Sequence, residues 1–210
     1  MLAAADERPA AAALPHQRRV LLAVTGLTPQ MVTETLYALM REGAHALPHE
    51  VHILTTAEGA ERARLALLSE LPGWFHRLCA DYGLAPIAFG PEHIHVLRDA
   101  DGQVLHDIRS AADNACAADQ VAELVRGFTQ DTQSQLHVSL AGGRKTLGFF
   151  AGYALSLRGR DGDRLTHVLV SEPFEPTIAF YYPTPYERII KTRSGKLADC
   201  WHCDVVLLAN

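Results

Sequence analysis

The chain predicts an α/β fold, an open and mostly parallel sheet with helices on both faces, on three observations. Short, continuously apolar runs alternate with longer segments of helical periodicity. The first such run, Arg19–Val24, has no polar face, as a strand covered on both sides requires. Two glycine-bearing turns, Thr25–Gln30 and Ala141–Thr146, each follow a strand and open a helix. They therefore lie on one edge of the sheet, where ligands of such folds bind beyond the carboxyl ends of the strands.

Taken in order, Arg19–Val24 is the first strand, and Thr25-Gly26-Leu27 turns the chain. Thr28 suits the N-cap of the next helix and Pro29 its first position, with Gly43 closing it and Val32, Leu36, Leu39 and Met40 on its buried face. Val51–Thr55 is the second strand. A helix from about Glu58 breaks at Leu71-Pro72-Gly73 and resumes through Trp74, Phe75, Leu78 and Tyr82. His93–Leu97 is the third strand, and Asp99-Ala100-Asp101-Gly102 is a turn before Val104-Leu105 that lacks the later ligands of a calcium loop. A helix over about Ser110–Thr129 buries Val121, Leu124, Val125 and Phe128. The strand through Leu136, Val138 and Leu140 enters the second glycine turn. A helix from Arg144 to Leu157 and a strand Thr166–Val170 follow. In that helix Gly148, Gly152 and Ser156 form a smooth ridge suited to close packing on a sheet or another subunit. Four prolines mark the tail after Glu172 as loops and edge strands ending in Val205–Leu208.

With 210 residues, 48% of them hydrophobic, the chain is long enough for one large core. The expected organisation is a loose, disordered arm over residues 1–17 and a single domain over 18–210. No uncharged apolar run is long enough to span a membrane, and the alanine-rich start carries Asp6, Glu7 and Arg8 instead of a signal-peptide pattern. A cytoplasmic location with reduced thiols is expected. The net charge of −5 argues against coating long nucleic acid, but not against a small phosphate ligand on a local basic loop. Cys200-Trp201-His202-Cys203 is half of a zinc pattern. Its complement, nominally His93 and His95, lacks metal spacing, so no metal and no cofactor is expected and strand-start packing is the better reading.

The segment Ser139-Leu140-Ala141-Gly142-Gly143-Arg144-Lys145-Thr146 carries most of the chemistry. Paired glycines allow a sharp turn and close approach to a ligand, and two cations with a hydroxyl stand at a helix start whose free N–H groups favour an anion. It is a phosphate seat, or a tight turn with solvated basic residues. It is not a nucleotide P-loop, since the leading glycine and the Gly-Lys-Thr order are missing, and no dinucleotide fingerprint, nucleophile elbow or His-Glu-x-x-His pair occurs.

The first loop and helix, Thr25 to Leu39, resemble the opening βα element of the CRISPR-associated Rossmann-fold (CARF) proteins, in particular the branch of CRISPR-associated ring nucleases. Ser139–Gly148, Ala154–Leu157 through Arg160, Asp163–Val170, Ser171–Glu175 and Tyr181–Thr184 continue the resemblance, which covers roughly residues 18–210. It implies a Rossmann-like homodimer holding cyclic oligoadenylate, most often cyclic tetra-adenylate, on its two-fold axis. It further implies metal-independent cleavage by attack of a ribose 2′-OH, leaving a 2′,3′-cyclic phosphate. Carried to matching positions, Lys145, Arg144 and Thr28 are the candidate catalytic residues. Thr25, Gly26, Gln30, Thr33, Glu34, Ser139, Gly142, Gly143 and Thr146 are the candidate ligand contacts. The alternative is a non-catalytic sensor of the same ligand, part of a type III CRISPR effector ribonuclease. Arg160 and His167 have the spacing of a HEPN ribonuclease motif, but a glycine-rich loop and a strand are the wrong setting for it. A small-molecule phosphotransferase lacks a metal-binding carboxylate pair.

Overall fold

A computed structural model describes residues 18–140 and 145–209; the arm expected at residues 1–17 lies outside them. The main sheet contains β1 (Arg18–Val24), β2 (Glu50–Thr55), β3 (Ile94–Val96), β4 (Ser134–Leu140), β5 (Arg164–Val170) and β8 (Val205–Ala209), in the order β3-β2-β1-β4-β5-β8. All pairs are parallel except β5 with β8. The open, mostly parallel α/β sheet is as the sequence predicts. β1 is buried on both faces for the expected reason: Val20, Leu22 and Val24 enter one core, and Leu21 and Ala23 the other.

The first core lies under α4 (Ala111–Gln130) and α5 (Lys145–Arg158), where Val121, Val125, Leu147 and Ala151 meet Val138 and Leu136. The second lies under α1 (Gln30–Glu42) and α3 (Trp74–Asp81), and the tail closes it with Tyr181 and Tyr182. Between β2 and α3, α2 (Ala57–Ala63) continues into a π-helical turn at Arg64–Leu68. A small antiparallel ribbon of β6 (Ile189–Lys191) and β7 (Leu197–Asp199) carries a third core. Cys200 and Cys203 are buried there as free thiols, with Phe174 and Phe180 in the same cluster.

Ser110 caps α4 in a reciprocal box with Asp113, and Gly43 ends α1 with φ 128°, its N–H reaching the carbonyls of Leu39 and Met40. The start of α1 departs from expectation. Pro29, not Thr28, is the N-cap, and it offers no side-chain oxygen. The Thr25 hydroxyl instead donates to the Thr28 carbonyl at 3.1 Å, fixing the turn while Thr28 stays exposed. Asp99–Gly102 is the expected turn: Asp99 Oδ1 accepts from the N–H groups of Asp101 and Gln103. Arg160 sits in a loop, paired to Asp163 at 3.0 Å, and His167 is on β5, so the HEPN-like spacing has no helical setting.

Candidate functional site at the sheet switch point

β1 and β4 run parallel with Val24 opposite Leu140, so the chain leaves both strands side by side. Strand order reverses between them: β2 and β3 continue on one side, β5 and β8 on the other. This is the switch point at which such sheets hold ligands. Of the second loop, Gly142, Gly143 and Arg144 lie outside the described residues. Lys145 and Thr146 are the first two residues of α5 and both are exposed, where a helix start and an ammonium group together attract an anion.

Two clefts flank the first loop. One, of about 380 Å³, runs between Gly26–Thr28 and Leu147 and is closed by Thr56, Glu58, His106, Asp107 and Arg109. The other, of about 290 Å³, lies between Thr28, Gln30, Met31 and Glu34 on one side and His167, Val168, Val170 and residues 175–178 on the other. Thr28 lines both and so stands on the ridge between them. A smaller cavity near Glu42, His137 and Arg164 is at the opposite edge, by the starts of β1, β4 and β5, away from both loops.

The first cleft depends on close approach of α2. The Thr55 hydroxyl donates to the Gly26 carbonyl at 3.2 Å, and a Cβ on Gly59 would run into both groups. Thr56 caps α2 through its side chain, accepting from the Gly59 N–H. His106 and Arg109 come from the chain after β3, a third connection ending on the same edge. Sequence reasoning missed them, although Arg109 directly precedes the Ser110–Asp113 capping box and so belongs to a strand-to-helix loop. Arg109 Nε lies 3.3 Å from Asp107, but its side chain is largely exposed and solvent weakens that pair.

In the second cleft, Gln30 and Glu34 stand one helical turn apart on α1. Gln30 Nε2 donates to the Ile178 carbonyl at 2.8 Å, while its Oε1 is buried without a hydrogen-bond partner. Burial, reinforced by the like charge of Glu175, pushes the Glu34 carboxyl up to about 8, so it holds its proton at neutral pH. The Nδ1–H of His167 donates to the Leu140 carbonyl at 2.6 Å, tying β5 to the end of β4.

Three predicted ligand contacts lie behind the cleft surface in this structure. Thr33 is fully buried and its hydroxyl lies within hydrogen-bond distance of the carbonyls of Gln30 and Tyr181. Ser139 is fully buried and bonded to Thr35 at 2.9 Å. Thr25 is 1% exposed and spends its hydroxyl on the turn. The structure thus brings Gly26, Thr28, Gln30 and Glu34 to the clefts and leaves Thr25, Thr33 and Ser139 behind them.

A doubly wound, Rossmann-like domain with two clefts at its switch point is the class these features define. The family model described as CRISPR-associated protein NE0113 (Cas_NE0113) matches residues 28–206. The chain belongs to that family. No curated protein matches it. Among solved structures, Enterococcus italicus Csm6 bound to cyclic hexa-2′-fluoro-hexa-dAMP matches at 14% identity and a TM-score of 0.45. The match covers 82% of this chain and 36% of that one, so this chain spans little more than a third of that protein's length.

Proposed function

We propose that this protein binds a cyclic oligoadenylate across a homodimer and cleaves it as a ring nuclease. The observation that carries the reading is the in-register end of β1 and β4 at the switch point, with Thr28 on the ridge between two clefts and Leu147 of α5, two residues after Lys145, lining one of them. A ring of nucleotides fits that layout, with a phosphate on the ridge and a base in each cleft.

Adenine is the base the second cleft suits. A neutral Glu34 carboxyl can donate, and Gln30 Oε1, buried without a partner, would become the acceptor if its amide turned toward the cleft. Adenine offers the complement, an acceptor at N1 beside a donor at N6. Guanine presents the reverse polarity on that edge and would leave buried groups unpaired.

In the proposed reaction a ribose 2′-hydroxyl loses its proton to solvent and attacks the adjacent phosphorus in line. The 5′-oxygen leaves and takes a proton from solvent, giving a 2′,3′-cyclic phosphate and a 5′-hydroxyl. Lys145, with Arg144, would stabilise the charge building on the phosphoryl oxygens. The Thr28 hydroxyl, free of capping duty, would orient the phosphate.

Dimerisation rests on α5. Phe149, Tyr153 and Leu157 follow one another at four-residue spacing and are 66%, 58% and 64% exposed. The Phe149 and Tyr153 rings stack at 6.1 Å. An apolar stripe of this kind, starting one turn after Lys145, needs a cover, and a second copy would supply it while adding its own phosphate seat. The Gly148–Gly152–Ser156 ridge is the weaker candidate, since Gly152 already faces Leu165 of β5.

The test is incubation of purified protein with labelled cyclic tetra-adenylate in the presence of EDTA. Linear product supports cleavage, and a retained intact ring makes the protein a sensor only. Absence of binding to any ring size removes the proposal.

A further inference from the structure

The His93–His95 pair has no part in the reading above, yet the fold gives it close company. β2, β3 and the short 3-10 turn Pro91–His93 just before β3 bring Glu50, His52, His93 and His95 together on the sheet face that meets α4. The His52 ring stacks on His95 at 5.2 Å, meets His93 edge-on at 4.8 Å and lies 4.8 Å from Phe128 of α4. One ligand atom from each of Glu50, His52 and His93 falls within 4.8 Å of the other two. Two of the atoms in this cluster are buried without a hydrogen bond, His52 Nε2 and Glu50 Oε1. They approach each other only to 3.5 Å, and the remaining neighbour of that oxygen is Arg18 Nη2, in ionic contact at 2.5 Å. His52 as a whole is 9% exposed.

Buried donors and acceptors are nearly always paired, and three imidazoles facing one carboxylate cannot all pair with one another. We propose that Glu50, His52 and His93 form a binding site for a zinc-like divalent cation, with water as the fourth ligand. Two imidazole nitrogens and a carboxylate oxygen are the donor set of a borderline metal, not of magnesium or calcium. The surroundings supply the outer contacts that such ligands need. His52 Nδ1 lies 2.9 Å from His95 Nε2, so a cation on His52 Nε2 leaves Nδ1–H to donate to His95. The Nδ1 of His93 accepts from the Gly90 N–H at 3.0 Å and lies 3.1 Å from Glu92 Oε1; for Nε2 to take the cation, the ring proton must move to Nδ1, which then donates to Glu92 in place of the Gly90 contact. Ligand atoms around tetrahedral zinc stand about 3.3 Å apart, so the longest separation must close by about 1.5 Å. The cation would staple the three-residue edge strand β3 to β2. Arg18 is its competitor, since both cations claim Glu50.

The experiment uses the full chain, stripped with chelator and titrated with Co²⁺ and then Zn²⁺. Stoichiometric binding with visible Co²⁺ absorption, displaced by Zn²⁺, and a raised melting temperature with Zn²⁺ are expected. His52→Asn or His93→Ala should abolish the Co²⁺ bands, with folding checked by circular dichroism. Arg18→Met, which leaves the core untouched, should tighten binding several-fold. Cys200→Ser should change nothing. No binding by wild-type protein, bands that survive His93→Ala, bands lost with Cys200→Ser, or weaker binding in Arg18→Met would each overturn the site.

Discussion

Glu34→Gln is the most discriminating substitution at the ligand edge. The folded carboxyl holds its proton up to about 8, against a usual value of 4.5. Between those values the folded state binds one proton more than the unfolded state, so this group makes stability fall as pH rises. One proton corresponds to about 1.4 kcal/mol per pH unit, and the whole window to roughly 4–5 kcal/mol at most. Glutamine keeps the shape and a donor but cannot titrate. The assay is urea unfolding of both proteins at about pH 5, 6.5 and 8, read as wild type minus variant so that other titrating groups cancel. The difference should move against wild type by about 1.4 kcal/mol for each pH unit. Ligand binding gives a second reading. The neutral fraction of a group at about 8 falls from about 0.9 at pH 7 to about 0.24 at pH 8.5, so wild-type affinity should drop about fourfold, while the variant's stays level. Parallel stability profiles for the two proteins would refute a protonated Glu34. Glu175→Gln removes the like charge and should shift the inflection to lower pH.

Three further outcomes follow from the geometry. Lys145→Ala should slow ring cleavage by about 10²–10³-fold with a much smaller effect on binding, measured by single-turnover kinetics; turnover within twofold of wild type would exclude it from catalysis. Thr28→Ala should leave the melting temperature nearly unchanged, because Pro29 occupies the cap, while lowering affinity or rate; Thr28→Ser should preserve both. Phe149→Glu should convert a dimer to a monomer in light scattering and weaken ring binding in parallel, and an unaltered mass would place the dimer contact elsewhere.

The sheet was legible because its signals are local. The apolar run of β1, the glycine ending α1 and the apolar periodicity of α4 each report on a few neighbouring residues, and strand–helix alternation then put both loops on one edge. The site was legible only to that resolution. Thr33 and Ser139 look from the sequence like hydroxyls near a ligand, but partners far along the chain, Tyr181 and Thr35, claim them. The Thr28 cap failed because the Thr25 hydroxyl sets the turn one residue differently. Arg109, the protonated Glu34 and the histidine cluster depend on which distant segments meet, which periodicity does not encode. The stripe of Phe149, Tyr153 and Leu157 was present in the spacing, yet apolar residues on a helix read first as core.

The wall of the second cleft has a consequence for the order in which the molecule is made. Gln30 and Thr33 are tied to Ile178 and Tyr181, 148 positions later in both cases. On a growing chain, α1 emerges early but waits for almost all of the remaining synthesis before that wall exists. A nascent chain can form β1, β2 and much of the core beneath α1 while Gln30 and Glu34 still face open water. If that cleft holds a base as proposed, recognition would arrive late, with the tail, and a truncated product would keep much of the sheet while lacking the wall that the proposed ligand needs.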